Sequence, residues 1–577
     1  KPQKIISGTS TLARNTLSWK MMNERPALLS CRRHGLNVVV IGLSILVFSV
    51  FFPNTVRTDF NSMDNYLEWV TSASLRIVNN WLTVGIFKDK FIMYEDFPSI
   101  EFEKYYGRNA YVSYPPGALV PLYFSAKLLG KKEISIGFVK KFVQAEYCAA
   151  ALFLGWLFYA ALITLEVRSK GFLIIAPFLL SSLWVALPFN VYYMKNVYFA
   201  DEAVILLSIM YFLLEILLYN KALKKYEKPL QASSAIVLFA GLLTDYYFAC
   251  IALVTFLYRI SYTFQSHPEK SLLQKIFSNT WMMILAVFSV TMLFISQVLA
   301  VPNGLELFIL TFLIRTGSGA EHGGLGVLAL HHFRVGFTAI FLPVLVCVTL
   351  FCLFFPFLRN KFDRPKQLLF SWLSIITLSS VLHTLILREH SIVHEFSMLK
   401  YNLVFVFIVF SLSYLLYSYN SPVVLLIKKY RLALFVLMAF LAIPLFLNLI
   451  DYNRTFYQRR TWKEDHSLAQ FIRNNTSYYD VVYSPDYEIY LYPPQDLTIS
   501  RKRVYKISRP DVIPLNELPD RAIINILISE ETLEKGDWRK LKETNIFSKK
   551  FSNYYLFKLS KKHFRSLMYE QKPLSSP

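Results

Sequence analysis

Long apolar runs recur through the first 450 residues, and most have the length of a membrane-spanning helix. They fall at 36–52, 136–164, 171–189, 197–219, 231–244, 246–260, 280–301, 333–357, 368–387, 401–419 and 431–449. The pattern therefore predicts a polytopic α-helical membrane protein of about eleven spans. The two short runs meeting at Thr244-Asp245 also read as a single span. No small-residue cleavage site follows the first run, so it is expected to persist as a span behind a cytoplasmic segment, 1–35. A polar loop, 53–135, separates the first two spans. It carries Asp59, Asp64, Glu68 and Tyr94-Glu95-Asp96, and leads through Tyr111-Val-Ser-Tyr-Pro-Pro-Gly117 into a short apolar stretch ending at Leu129. The prolines at the head of that stretch favour a re-entrant or interfacial helix over a full crossing.

After Leu449 the period changes. An amphipathic segment at 464–474 is followed by strand-like runs at 481–483, 504–507, 523–528 and 554–559, predicting a small α/β domain over 450–577. The membrane part then covers 36–449. Composition agrees: 54% of residues are hydrophobic and only 17% charged, too apolar for an ordinary soluble chain. The net charge of +22 does not point to nucleic acid, because much of it sits in short loops between spans and no nucleic-acid motif accompanies it. With the N-terminus inside, the cytoplasmic loops are Lys221–Lys228, Arg259–Lys275, Arg359–Lys366 and Lys428–Arg431, all rich in Lys and Arg. Loop 53–135 and the C-terminal domain then lie outside. The five cysteines all precede residue 360, so no disulfide framework supports the tail.

Several groups could carry chemistry. Asp59 and Asp64 sit just outside the first span, where a carboxylate can act as general base; solvated charges or a helix cap are the plain alternatives. Asp201-Glu202 at the mouth of a span and Asp245 within an apolar region are costly at membrane depth, which marks function, a buried pair or a turn. Arg315 heads a Gly-rich stretch that includes His322, and Arg388, His394 and Lys400 form a second basic group at the same boundary. Cations so placed can clamp a phosphate, or merely snorkel to the interface. His390 and His394 have metal-ligand spacing, but no third ligand is evident.

Taken together, the acidic residue soon after the first span, Tyr111–Gly117, Asn196–Glu202 and His394–Lys400 resemble the GT-C superfamily of membrane glycosyltransferases, in the branch of protein O-mannosyltransferases and aminoarabinose transferases. The resemblance implies an inverting, metal-independent transfer of sugar from a polyprenyl-phosphate donor to a glycan, lipid or protein acceptor at the outer face, with no cofactor. Asp59 or Asp64 would be the base. Arg315, Arg388, His394 and Lys400 would bind the donor phosphate, and Tyr114, Asp201, Glu202 and His322 the substrate. The implied setting is a bacterial inner membrane. Sequons at Asn453, Asn474 and Asn475 keep an endoplasmic reticulum origin open. A transporter or lipid flippase is the alternative from another class, with the same charges lining a pathway; a non-catalytic assembly subunit is a third.

Overall fold

The structure, a computed structural model, describes residues 35–51, 69–94, 110–187, 189–191, 193, 198–266, 271–317 and 341–418 of the hydrophobic part. In the tail it describes chiefly 481–485, 503–506, 523–535, 538–543 and 548–569, with a few single positions between. Asp59, Asp64, His322 and the predicted span 431–449 lie outside the described residues.

The apolar runs form helices in chain order: α1 (Gly35–Phe51), α2 (Trp69–Val84), α3 (Leu119–Leu128), α4 (Ile136–Thr164), α5 (Lys170–Ala186), α6 (Ala200–Leu218) and α7 (Glu227–Leu242). They continue as α8 (Tyr247–Ser266), α9 (Leu272–Leu299), α10 (Gly304–Thr316), α11 (Phe341–Leu358), α12 (Arg364–Ile386), α13 (Arg388–Val393) and α14 (Leu399–Ser418). By length and composition, six helices among the described residues can cross a membrane, or seven if the pair Ala200–Leu218 and Lys221–Leu242, bent by 105°, is one crossing. Hydropathy alone predicts about eleven. The difference lies in α1 and α5, which are apolar but shorter, in the bent pair, and in the run beyond residue 419.

Local chemistry sets several helix starts. Ser135 accepts the Phe138 N–H to cap α4, and Asp363 accepts the Lys366 N–H at 3.0 Å to cap α12, with Pro365 in its first turn. The helices also divide by position. In α4 the most apolar stretch is 72% buried and in α12 and α14 67%, whereas in α9 and α11 it is 22%. The first three thus form the interior, and α9 and α11 present Phe288, Leu293, Phe354 and Phe357 outward, as lipid-facing helices do.

The short apolar segment after Pro115 does not cross: α3 is a ten-residue helix. Its approach is fixed by Gly117, whose N–H donates to the Leu243 carbonyl at 2.7 Å in the corner between α7 and α8. A Cβ at residue 117 would collide with that carbonyl. Gly117→Ala is therefore expected to destabilise the protein by about 1–3 kcal/mol through overpacking. Thermal unfolding in detergent should show a lower Tm for Gly117→Ala. Gly171→Ala, at a position with nothing near its Cβ, should leave the Tm unchanged.

The tail contains β3 (Val481–Ser484), β4 (Arg503–Lys506), β5 (Ile523–Ser529), β6 (Ser548–Phe551) and β7 (Tyr554–Ser560), where β1 (Met93–Tyr94) and β2 (Ala110–Tyr111) are a small antiparallel pair before α3. The five form one mixed sheet in the order β4-β3-β5-β7-β6, parallel on the first side and antiparallel on the other. Ile524, Ile526 and Ile528 pack on one face with Trp538, Leu541 and Phe564; Leu527 packs on the other with Leu468, Ile472 and Val482. Burial on both faces explains why β5 is apolar on both sides, with Asn525 the one buried polar position within it, rather than alternating.

Candidate active site at the helix ends

Five elements end at one place. Asp201 is in the first turn of α6, Asp245 in the corner before α8, His383 in the last turn of α12, His390 on α13 and Lys400 in the first turn of α14. The Lys400 ammonium lies 2.5 Å from Asp201 Oδ1, 3.3 Å from His383 Nε2 and 3.7 Å from Asp245 Oδ1. Each of these four residues is at most 1% exposed, so water does not screen the charges. Asp201 also profits from its position, since a helix N-terminus favours a carboxylate. Asp245 Oδ1, the oxygen that faces Lys400, also accepts the Tyr247 N–H at 2.6 Å, and Oδ2 is buried without a hydrogen bond among the described residues.

A second layer comes from the loop before α3. Tyr114 Oη lies 3.1 Å from His390 Nε2, and the same nitrogen lies 3.5 Å from Asp201 Oδ2. One nitrogen thus serves two partners: bare, it accepts the Tyr114 proton; protonated, it faces Asp201. Burial holds the His390 imidazole below its ordinary 6.5, against the pull of Asp201. Burial, reinforced by Asp201, raises the Tyr114 phenol well above 10, with Arg315 opposing. Arg315 in turn donates to Tyr111 Oη at 2.8 Å and to the Ser113 carbonyl at 3.0 Å, with its guanidinium 4.3 Å above the Tyr114 ring.

Of the residues singled out in the sequence, Asp201 and Lys400 meet directly, Tyr114 reaches Asp201 through His390, and Arg315 adjoins Tyr114. Arg315 stands in the last turn of α10, with the Gly-rich stretch beginning after it. Arg388 lies over Gly317, whose φ of +88° ends that helix. His394 stacks on Phe396 at 4.9 Å, and its ring is 4.6 Å from that of His390. Glu202 is buried beside Asp201, but one carboxylate oxygen accepts the Phe199 N–H and caps α6. Asp245, which the sequence marks as functional, a buried pair or a turn, lies in a corner and faces Lys400; His383 went unremarked. The signal for His383 was an ionisable group within an apolar run.

These features define a polytopic membrane protein whose spans converge on a dry ionic centre with a cationic rim. No family model and no curated protein matches the sequence. Solved structures do. The oligosaccharyltransferase of Archaeoglobus fulgidus in complex with Zn and sulfate is 12% identical with a TM-score of 0.53, the match covering 87% of this chain and 68% of that one. The same enzyme in complex with an inhibitory peptide and a dolichol-phosphate gives 12% and 0.51, covering 94% and 75%. ArnT from Cupriavidus metallidurans bound to undecaprenyl phosphate gives 12% and 0.52, covering 90% and 97%. The chain therefore shares the fold of these structures.

The zinc of the archaeal enzyme raises the question of whether the cluster here suits a metal. Among the described residues no group of three or more His, Cys, Asp or Glu could hold one. Asp201, Asp245 and His383 do converge, but on the Lys400 ammonium, which fills the position between them. A divalent cation there would meet a like charge, so these residues do not fit a metal.

Proposed function

We propose that this protein is a membrane glycosyltransferase that moves a sugar from a polyprenyl-phosphate donor to an acceptor by single displacement with inversion. The observation that carries the reading is the buried Lys400 ammonium between Asp201 and Asp245, beside Arg315, at the converging ends of the spans. A transporter pathway needs its charges exposed to water in turn; here they are paired with one another and buried. The fold, and the polyprenyl phosphates held by two proteins that share it, support the same reading.

In this mechanism Asp59 or Asp64 of the first loop takes the proton of an acceptor hydroxyl as its oxygen attacks the anomeric carbon. The bond from that carbon to the phosphate oxygen breaks, and polyprenyl phosphate leaves with the electron pair. Arg315, Arg388, His394 and Lys400 supply positive potential for the departing phosphate. Tyr114, Asp201, Glu202 and His322 orient the substrate. Lys400 supplies a fixed cation, so the reaction proceeds without a metal. In this reading the centre faces the outer side of a plasma membrane, which the Lys- and Arg-rich loops support, and the α/β tail is an acceptor-side module.

The test uses the purified full chain in liposomes with polyprenyl-phosphate sugars as donors, in the presence of chelator. The expected outcome is release of polyprenyl phosphate in step with glycosylated acceptor. Movement of intact donor between leaflets, with no bond cleaved, would replace this reading with lipid transport.

A further inference from the structure

The opposite ends of the same helices carry a second ionic cluster that glycosyl transfer does not use. Arg259 near the end of α8 pairs with Glu215 of α6 at 2.5 Å, and Glu215 also accepts from Ser234 of α7 at 2.8 Å. Beside them stands Arg359, directly after α11, with its guanidinium carbon 4.6 Å above the Tyr262 ring. Arg359 is 8% exposed. Its Nε has no hydrogen-bond partner, and among the described residues the side chain makes neither a hydrogen bond nor an ion pair. Glu215, the carboxylate of this cluster, is engaged by Arg259 and Ser234 and makes no ion pair with Arg359.

A buried cation with five donors and no acceptor is expensive, so such a site calls for an anion. Its position says which kind. Phe354 and Phe357, within a turn and a half before Arg359, are 60% and 83% exposed and face outward, as side chains in hydrocarbon do. Lys361, Arg364 and Lys366 follow at once, as at a membrane–water boundary. Arg359 therefore stands at headgroup depth, on the side that the positive loops make cytoplasmic. A snorkelling arginine would extend to water; this one is buried against the Tyr262 ring.

We propose that Arg359, with Tyr262 and Arg259 beside it, forms a binding site for the phosphate of an anionic phospholipid of the cytoplasmic leaflet. A guanidinium fits a phosphodiester through paired N–H donors, and basic pockets between spans are where such headgroups bind. The lipid is a structural ligand bridging α8 and α11, distant from the centre at Asp201 and Lys400. The site stands whether or not the proposed transfer reaction is correct.

The full chain is reconstituted in nanodiscs of phosphatidylcholine alone or with phosphatidylglycerol, and retained lipid is read by native mass spectrometry alongside thermal unfolding. Wild type is expected to keep phosphatidylglycerol and to gain Tm from it. Arg359→Gln should lower that retention about tenfold or more and lose the gain, while Arg359→Lys keeps part of both. Lys361→Gln, at an exposed neighbour, should change little. Equal retention by wild type and Arg359→Gln would overturn the proposal, as would equal Tm values in the two lipids, the result for a guanidinium satisfied within the protein. Should Arg359→Gln fail to fold, the wild-type lipid comparison and Arg359→Lys still decide. Displacement of the lipid by millimolar inorganic phosphate would assign the site to free phosphate and refute the lipid assignment.

Discussion

Lys400→Met is expected to unfold the protein more readily than any single exchange outside the centre, and to abolish glycosyl transfer. The substitution keeps the length of the side chain and deletes the charge that Asp201 and Asp245 share at 2.5 and 3.7 Å. Both carboxylates then face each other in a dry interior, and losing one partner of a buried ion pair costs about 3–5 kcal/mol. The penalty comes from the orphaned charge rather than from the lost bond. Removing part of that charge should therefore give stability back. Asp201→Asn with Lys400→Met is expected to recover much of the Tm lost by Lys400→Met alone, while transfer stays absent. A double variant no more stable than the single one would show that Lys400 acts by packing.

The second large effect is expected at the first outer loop. Asp59→Asn and Asp64→Asn, made separately, should divide cleanly: one loses transfer by about 100- to 10,000-fold, the range for a displaced general base, and the other loses little. The Asn side chain preserves size and hydrogen bonding and cannot take a proton, so donor binding should persist in the inactive variant. Measured as kcat against KM, the loss should fall on kcat. Full activity in both would remove the base from this loop and turn attention to Asp201, Asp245 and Glu202.

Much of the fold was written in the apolar runs, because a helix in lipid satisfies its backbone internally and needs only length and hydropathy to declare itself. Strands β3, β4, β5 and β7 fell close to where β-rich runs put them. Two elements did not. Strand β6 carries Lys549 and Lys550 at the sheet edge and so resembles a loop, and α10 follows Pro302-Asn303 too briefly to register as a span. The site was legible in its parts: Tyr114, Asp201, Arg315 and Lys400 each violate the apolar pattern around them. Their pairing was not. Lys400 is 199 positions from Asp201, and nothing local to either says that the ammonium belongs between two carboxylates. His383 was hidden for the opposite reason, as one polar position among leucines and serines on α12.

Helix α6 bears Asp201 at its start and Glu215 near its end, each locked to a cation on another helix. With a rise of about 1.5 Å per residue, the two clamps stand about 21 Å apart along one rod. A rod pinned at both ends cannot slide, tilt freely or shorten to suit its surroundings. When bilayer thickness changes, the lipid around α9 and α11 must stretch or compress instead, at a cost that grows with each ångström of mismatch. The protein thus sets a gauge for the membrane around it, and its stability should peak in lipids of one acyl length.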